Sequence, residues 1–124
     1  MILSFGLISN FSSAASTSRL LSQTGHNVDS LDIEPYYEKA IQFDANETLP
    51  YEDNTFDVIW CSEVIEHLKE PKKAIVDMQR VIKPGGKIYL TTPNSYFLLI
   101  RLAYFLLNKT PQEIQNSGHL HFFD

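Results

Sequence analysis

The stretch that decides the fold reads FDVIWCSEVIEHL from Phe56 to Leu68 and KPGGKIYLTTPN from Lys83 to Asn94. The first string opens with an almost wholly apolar run, as in strands that are covered on both faces. Between the strings, apolar residues recur at helical spacing from Ala74 to Ile82. Pro84-Gly85-Gly86 is predicted to end this helix and to start a further strand, Lys87 to Leu90. Strand, helix and strand in this order predict part of a parallel sheet.

The residues before this stretch add three shorter predicted strands. They are Met1 to Gly6, Val28 to Ile33 and Ala40 to Phe43, and a helix around Ser18 to Gln23 ends at Gly25. Alternating strands and helices predict a single α/β domain, residues 1–124, whose sheet is doubly wound and mostly parallel.

Composition and charge limit the partners and the location that are expected for this chain. The chain has 10 Lys and Arg against 15 Asp and Glu, a net charge of −5 with no basic cluster, so no nucleic-acid partner is expected. The single cysteine, Cys61, cannot form an internal disulfide and is interpreted as a packed side chain beside Trp60, not as a nucleophile. No membrane span is expected, since the apolar run Tyr96 to Leu107 is too short. A cytoplasmic protein is the default interpretation.

Acidic residues follow two of the predicted strands. A carboxylate at the end of a second parallel strand is placed to accept hydrogen bonds from the ribose hydroxyls of a nucleoside cofactor, and Asp32 occupies that position. The alternative for Asp32 is a solvated turn aspartate. Asp44 follows the third predicted strand, where its alternative is a residue that caps a loop.

Glu63, Glu66 and His67 follow the fourth predicted strand. On a helix these positions share one face, where two carboxylates and an imidazole could bind a divalent cation. Histidine titrates near neutral pH, which makes His67 the candidate general base. The alternative for His67 is a half-buried side chain that makes one hydrogen bond.

Together these motifs resemble the class I S-adenosylmethionine-dependent methyltransferases, of the methyltransferase type 11 kind. The resemblance is carried by the two quoted strings and by Asp44-Ala45, Leu49-Pro50 and Asn54-Thr55-Phe56-Asp57. It implies a Rossmann-like fold, S-adenosyl-L-methionine as cofactor and methyl transfer to a small-molecule acceptor. The cofactor-binding residues that it implies are Gly6, Asp32, Asp44, Ala45, Ser62 and Glu63.

The resemblance also implies roles for single residues. Asp44 meets the adenine amino group, Ser62 and Glu63 contact the adenine and methionine parts, and His67 lies on the acceptor side. Similar Glu-x-x-Glu-His motifs bind a divalent metal in ubiquinone-biosynthesis and small-RNA O-methyltransferases. A metal held by Glu63, Glu66, His67 and His119 is therefore the alternative to the preferred interpretation without metal.

The chain departs from this family's pattern in its glycine-rich loop. Gly6 matches the first of three glycines, whereas counting back from Gly25 puts Phe11, Ser13 and Ala15 at those positions. Side chains there disfavour the backbone conformations that glycine permits, so weakened cofactor binding is expected. A catalytically silent scaffold, acting as a binding or regulatory module, is the alternative function.

The sequence also shows no pattern for the last strands that this family's sheet usually has. A sheet that stops at its fifth strand leaves an unpaired edge, which a dimer or a second chain would cover. We expect a truncated or split gene product. The apolar residues Tyr96 to Leu107 are interpreted as a helix that packs on the sheet, with a lipid-acting, membrane-associated enzyme as the alternative.

Overall fold

A computed structural model describes residues 1–6, 13–35, 38–92 and 106. Its elements in chain order are β1 (Ile2–Gly6), α1 (Ser13–Gln23), β2 (Val28–Asp32), β3 (Ala40–Gln42), β4 (Phe56–Ser62), a 3₁₀-helix (Ile65–His67), α2 (Pro71–Val81) and β5 (Ile82–Thr91).

The five strands form one parallel sheet in the order β3-β2-β1-β4-β5. The chain runs outward from β1 to β3 and then returns to pair β4 with the other side of β1. The strand order thus reverses direction at β1, and in open α/β sheets ligands bind at the carboxyl ends of the strands beside such a point. The topology confirms the predicted α/β, doubly wound parallel fold.

Helix α1 ends where its sequence predicts. Gly25 has φ +87°, a left-handed conformation that glycine adopts without steric cost. The amide of His26 donates to the carbonyl oxygen of Leu21, which closes the last turn of the helix. Ser13 and Ala15 lie inside α1, so the loop after Gly6 comprises residues 7–12, which lie outside the described residues.

The start of β5 corrects the sequence prediction. Pro84-Gly85-Gly86 neither ends α2 nor precedes the strand, because α2 ends at Val81 and β5 begins at Ile82. The register against β4 shifts between Phe56, which faces Ile82, and Val58, which faces Lys87. The glycines sit in this bulge, where extra residues of β5 are accommodated without ending the strand.

The core lies between the sheet and the helices. Its buried apolar side chains are Leu3, Phe5, Leu31, Leu49, Phe56, Ile59, Cys61, Val64, Leu68, Met78 and Val81. Burial, followed by the nearby charge of Glu66, raises the pKa of Cys61 to about 12. The thiol therefore stays neutral, as expected for a packing residue.

The predicted helix of residues 95–107 lies outside the described residues, except for Leu106, which is helical and exposed. Among the described residues, the helices are too short or too polar to cross a membrane.

Candidate active site

The carboxyl ends of three adjacent strands bring predicted cofactor residues together. Gly6, the last residue of β1, is the register partner of Asp32, the last residue of β2. On the other side of β1, Phe5 is paired with Cys61, so Ser62 ends β4 at the same edge. The strand register therefore places Gly6, Asp32 and Ser62 at one edge of the sheet.

Asp32 is a buried carboxyl group at this edge. It is 5% exposed, and its Oδ1 accepts a hydrogen bond of 3.0 Å from the amide of Glu34. Burial raises the pKa of Asp32 and the Glu34 carboxylate adds to this, while the amides of Glu34 and Ile33 oppose the shift. Further hydrogen-bond donors at this carboxyl group would stabilise its ionised form.

Asp44 and Ala45 lie on the loop after β3. Oδ1 of Asp44 accepts two hydrogen bonds from Asn46, of 2.9 Å from the amide and 2.8 Å from Nδ2. These bonds lower the pKa of Asp44, so it is ionised at neutral pH. Ala45 packs partly buried against the core and fixes the loop beside the sheet.

Thr91, which the sequence analysis missed, connects the end of β5 to the end of β4. Its hydroxyl lies 2.9 Å from Oγ of Ser62 and donates to Oε1 of Glu63 over 3.1 Å. The carbonyl oxygen of Thr91 accepts a 3.0 Å hydrogen bond from the amide of Glu63. Two predicted cofactor residues are thus held by one threonine.

The prediction that Glu63, Glu66 and His67 share one helical face is wrong. The φ of +56° at Glu63 is left-handed, and the following 3₁₀-helix begins only at Ile65. Because β4 extends through Ser62 and the chain then turns sharply, Glu63 does not share a helical face with Glu66 and His67.

Glu66 is buried inside the protein. It is 1% exposed, and neither of its carboxylate oxygens makes a hydrogen bond with a described residue. Nε2 of His67 lies 3.9 Å from its Oε1, and the His67 side chain is 14% exposed. Among residues 1–6, 13–35, 38–92 and 106, no group of three or more His, Cys, Asp or Glu is arranged to hold a metal ion. His119 lies outside them.

Arg80 is a second group that the sequence analysis missed. Its guanidinium donates to the carbonyl oxygens of Leu49 (3.0 Å) and Tyr51 (2.7 Å), and its Nε donates to Oδ1 of Asp77 over 2.7 Å. Oδ2 of Asp77 accepts a hydrogen bond from the amide of Leu49. These contacts from α2 fix the segment that follows Asp44. Apart from the local Arg80–Asp77 pair, they join residues about 30 positions apart in the chain, so no local pattern signals them.

Comparison with known proteins places this chain in a family. The sequence profile described as Methyltransferase domain matches residues 12–90. The chain is 32% identical over 96 residues to a ubiquinone biosynthesis O-methyltransferase of Dechloromonas aromatica, an alignment that covers 74% of the chain and 37% of that protein. A second ubiquinone biosynthesis O-methyltransferase, from Pseudomonas putida W619, is 38% identical over 61 residues, 46% of the chain and 26% of that protein. The chain thus spans about a third of these relatives.

Solved structures show the same fold. A SAM-dependent methyltransferase from Archaeoglobus fulgidus superposes with a TM-score of 0.72 at 18% identity, over 98% of this chain and 53% of that one. A putative methyltransferase in complex with the Haloferax volcanii Trm112 methyltransferase activator superposes with a TM-score of 0.62 at 18% identity, over 88% and 51% of the two chains. The sequence match over most of the chain and the shared strand topology show that this chain belongs to the S-adenosylmethionine-dependent methyltransferase family.

Proposed function

We propose that residues 1–124 form a single methyltransferase domain that binds S-adenosyl-L-methionine at the carboxyl edge of the sheet and transfers its methyl group to a small-molecule acceptor. The observation that carries the proposal is the buried carboxyl of Asp32 next to Gly6, at the carboxyl ends of the neighbouring strands β2 and β1. A carboxyl buried at the ligand-binding edge of a parallel sheet is explained by a ligand with hydroxyl donors.

Different residues would hold the adenosine and the methionine parts of S-adenosylmethionine. Asp32 would accept hydrogen bonds from the ribose hydroxyls, and Gly6 would allow the backbone to approach the methionine part. Asp44 and Ala45 would hold the adenine, with the ionised Asp44 accepting from its amino group. Ser62 and Glu63, fixed by Thr91, would complete the pocket.

The bound donor supplies an activated methyl group, so the protein contributes mainly by holding the reactants in line. His67 is the proposed general base. Its side chain is 14% exposed, and its Nε2 lies 3.9 Å from Oε1 of Glu66, at the end of the 3₁₀-helix that follows β4.

The relatives suggest which acceptor to test first. Two of them are named as O-methyltransferases of ubiquinone biosynthesis, which supports a hydroxyl group as the acceptor class.

One structural neighbour is a complex with an activator protein. For this chain, a dimer or a second chain that covers the open sheet edge stays a prediction. The cytoplasmic location and the lack of a nucleic-acid partner also stay predictions.

Transfer of a labelled methyl group from S-adenosylmethionine to phenols, catechols and amines, with and without Mg²⁺, tests this function. His67→Gln is expected to lower the rate by about 10²-fold or more, the usual contribution of a general base. His26→Gln is the matched control, since His26 lies exposed in the turn before β2.

Equal rates for the wild-type protein and His67→Gln would contradict the role of His67. A wild-type protein that binds the donor but transfers no methyl group would instead support the silent scaffold.

A further inference from the structure

The side chain of Asn46 joins two separate segments near the site. Its Nδ2 donates to Oδ1 of Asp44 over 2.8 Å, and its backbone amide donates to the same oxygen over 2.9 Å. On its other side, Oδ1 of Asn46 accepts a 2.8 Å hydrogen bond from the backbone amide of Lys69. The amide group of Asn46 is therefore used at both ends, once as donor and once as acceptor.

The two bonds to Asp44 fix the rotation of its carboxylate. Both donors converge on Oδ1, and no hydrogen bond from the described residues reaches Oδ2. The Asn46 contacts, with a smaller contribution from the positive charge of Lys69, lower the pKa of Asp44. Oδ2 is thus kept as an ionised acceptor for an N–H donor.

The hydrogen bond from the Lys69 amide to Oδ1 of Asn46 holds the loop after β3 in place. Lys69 directly follows Leu68, which is buried in the core beyond the 3₁₀-helix that carries Glu66 and His67. Through Asn46, the loop after β3 is therefore tied to the segment that carries the proposed acceptor-side residue.

We propose that Asn46 is a positioning residue for the nucleoside end of the methyl donor: it orients the Asp44 carboxylate and holds its loop against the segment after His67. The inference rests on the proposed function, in which Asp44 accepts a hydrogen bond from the adenine amino group.

Asn46→Asp tests the donor role with little change in shape. The new carboxylate keeps an acceptor for the Lys69 amide but cannot donate to Asp44, and its like charge raises the pKa of Asp44. Calorimetric titration with S-adenosylhomocysteine is expected to show about tenfold weaker binding at pH 7, the effect of losing one hydrogen bond to a charged group.

The pH dependence separates positioning from a general loss of structure. Protonation of Asp44 removes the charge and weakens Oδ2 as an acceptor for the adenine amino group, so affinity is expected to fall as pH falls through the pKa of Asp44. Asp32 contributes to the acid-side loss in both proteins, but in Asn46→Asp the loss is expected to be steeper and to begin at higher pH. A merely loosened loop would lower the affinity without moving this profile.

Asn54→Asp is the matched control. It makes the same amide-to-carboxylate change in the turn before β4, whereas the proposed site lies at the carboxyl end of that strand. Its binding profile is expected to follow that of the wild-type protein. Asn46→Ala, which adds no charge, serves as the second variant if Asn46→Asp unfolds, and its affinity is also expected to fall.

The outcomes separate the two claims. If the wild-type protein binds and the Asn46 variants match it at every pH, the positioning role is wrong while the proposed function stands. If the folded wild-type protein does not bind, the proposed function fails and this inference fails with it.

Discussion

Glu63 holds an unfavourable backbone conformation at the centre of the proposed cofactor site. A left-handed φ at a residue other than glycine costs about 1–2 kcal/mol. The hydrogen bonds between Glu63 and Thr91, through both backbone and side chain, offset this cost. We infer that Thr91 keeps the turn after β4 in the shape that presents Ser62 and Glu63 at the sheet edge.

Thr91→Val keeps the shape of the side chain and removes its hydroxyl. It is expected to weaken S-adenosylhomocysteine binding by about three- to tenfold, because Ser62 and Glu63 lose the group that orients them. Thr91→Ser, which retains the hydroxyl, is expected to bind like the wild-type protein, and calorimetric titration measures both.

Thr55→Val is the control, since it removes a hydroxyl hydrogen bond to the carbonyl oxygen of Glu52 at the far end of β4. Wild-type affinity in Thr91→Val would show that this hydroxyl does not orient the site.

Glu66 is predicted to make stability depend on pH. Burial raises its pKa, and the Glu63 carboxylate raises it further, while the nearby His67 opposes the shift. A carboxyl with a raised pKa in the folded state holds more protons there than when unfolded. Its ionisation therefore destabilises the fold progressively as pH rises from its ordinary value of 4.5.

Glu66→Gln removes this charge. Relative to the wild-type protein, its free energy of unfolding is expected to rise by about 1–3 kcal/mol between pH 4 and pH 8. Urea denaturation at several pH values measures the difference, with the exposed Glu70→Gln as the matched control. A difference between Glu66→Gln and wild type that does not change with pH would disprove the prediction.

At the scale of elements, the bulge between β4 and β5 decides how the two strands meet. An added Cβ at Gly86 would lie 2.6 Å from Cγ1 of Ile82 and 3.0 Å from the carbonyl oxygen of Asp57. Gly85 has open space around it but a φ of +81°. The two glycines are thus required for different reasons, close packing at Gly86 and backbone conformation at Gly85.

Gly86→Ala and Gly85→Ala are each expected to lower the free energy of unfolding, by about 1–3 and 1–2 kcal/mol respectively. Combination with Ile82→Ala tells the causes apart. The space opened by Ile82→Ala should relieve the close contact between Ile82 and the new Cβ in Gly86→Ala. It should leave the backbone strain in Gly85→Ala unchanged, so only the cycle of Gly86→Ala with Ile82→Ala should show coupling. Denaturant unfolding of the single and double variants gives the coupling energies, and equal coupling for both glycines would refute this explanation.

The sequence predicts most elements because each is a local pattern. The apolar runs of β1, β2 and β3 are placed within one residue of their observed ends. Strand β5 is the exception, since Pro84-Gly85-Gly86 resembles a turn in isolation. Only pairing with β4 turns this stretch into a bulged strand, and pairing is not visible in local spacing.

The site is predictable to the extent that it depends on strand ends. Asp32 and Ser62 reach the shared edge because the carboxyl ends of parallel strands meet there. Asn46, Arg80 and Thr91 could not be assigned, because their roles depend on hydrogen bonds to residues that the fold brings near. The helical face predicted for Glu63 is wrong because the chain turns at that residue before any helix starts.

At the scale of the whole molecule, the strand order reverses direction at β1, beside which ligands bind in open α/β sheets. The residues assigned to the donor approach the carboxyl edge of the sheet from three strands and two loops, and α2 braces the segment after Asp44 through Arg80. The net charge of −5 is no obstacle, since the donor's sulfonium is cationic. The central claim is therefore that this chain binds the methyl donor.

Calorimetric titration of the purified chain with S-adenosylhomocysteine tests that claim most directly. We expect saturable binding of one ligand per chain, with much weaker binding by Asp32→Ala than by the exposed-loop control Glu52→Ala. A chain that is folded by circular dichroism and shows no saturable binding would contradict the account.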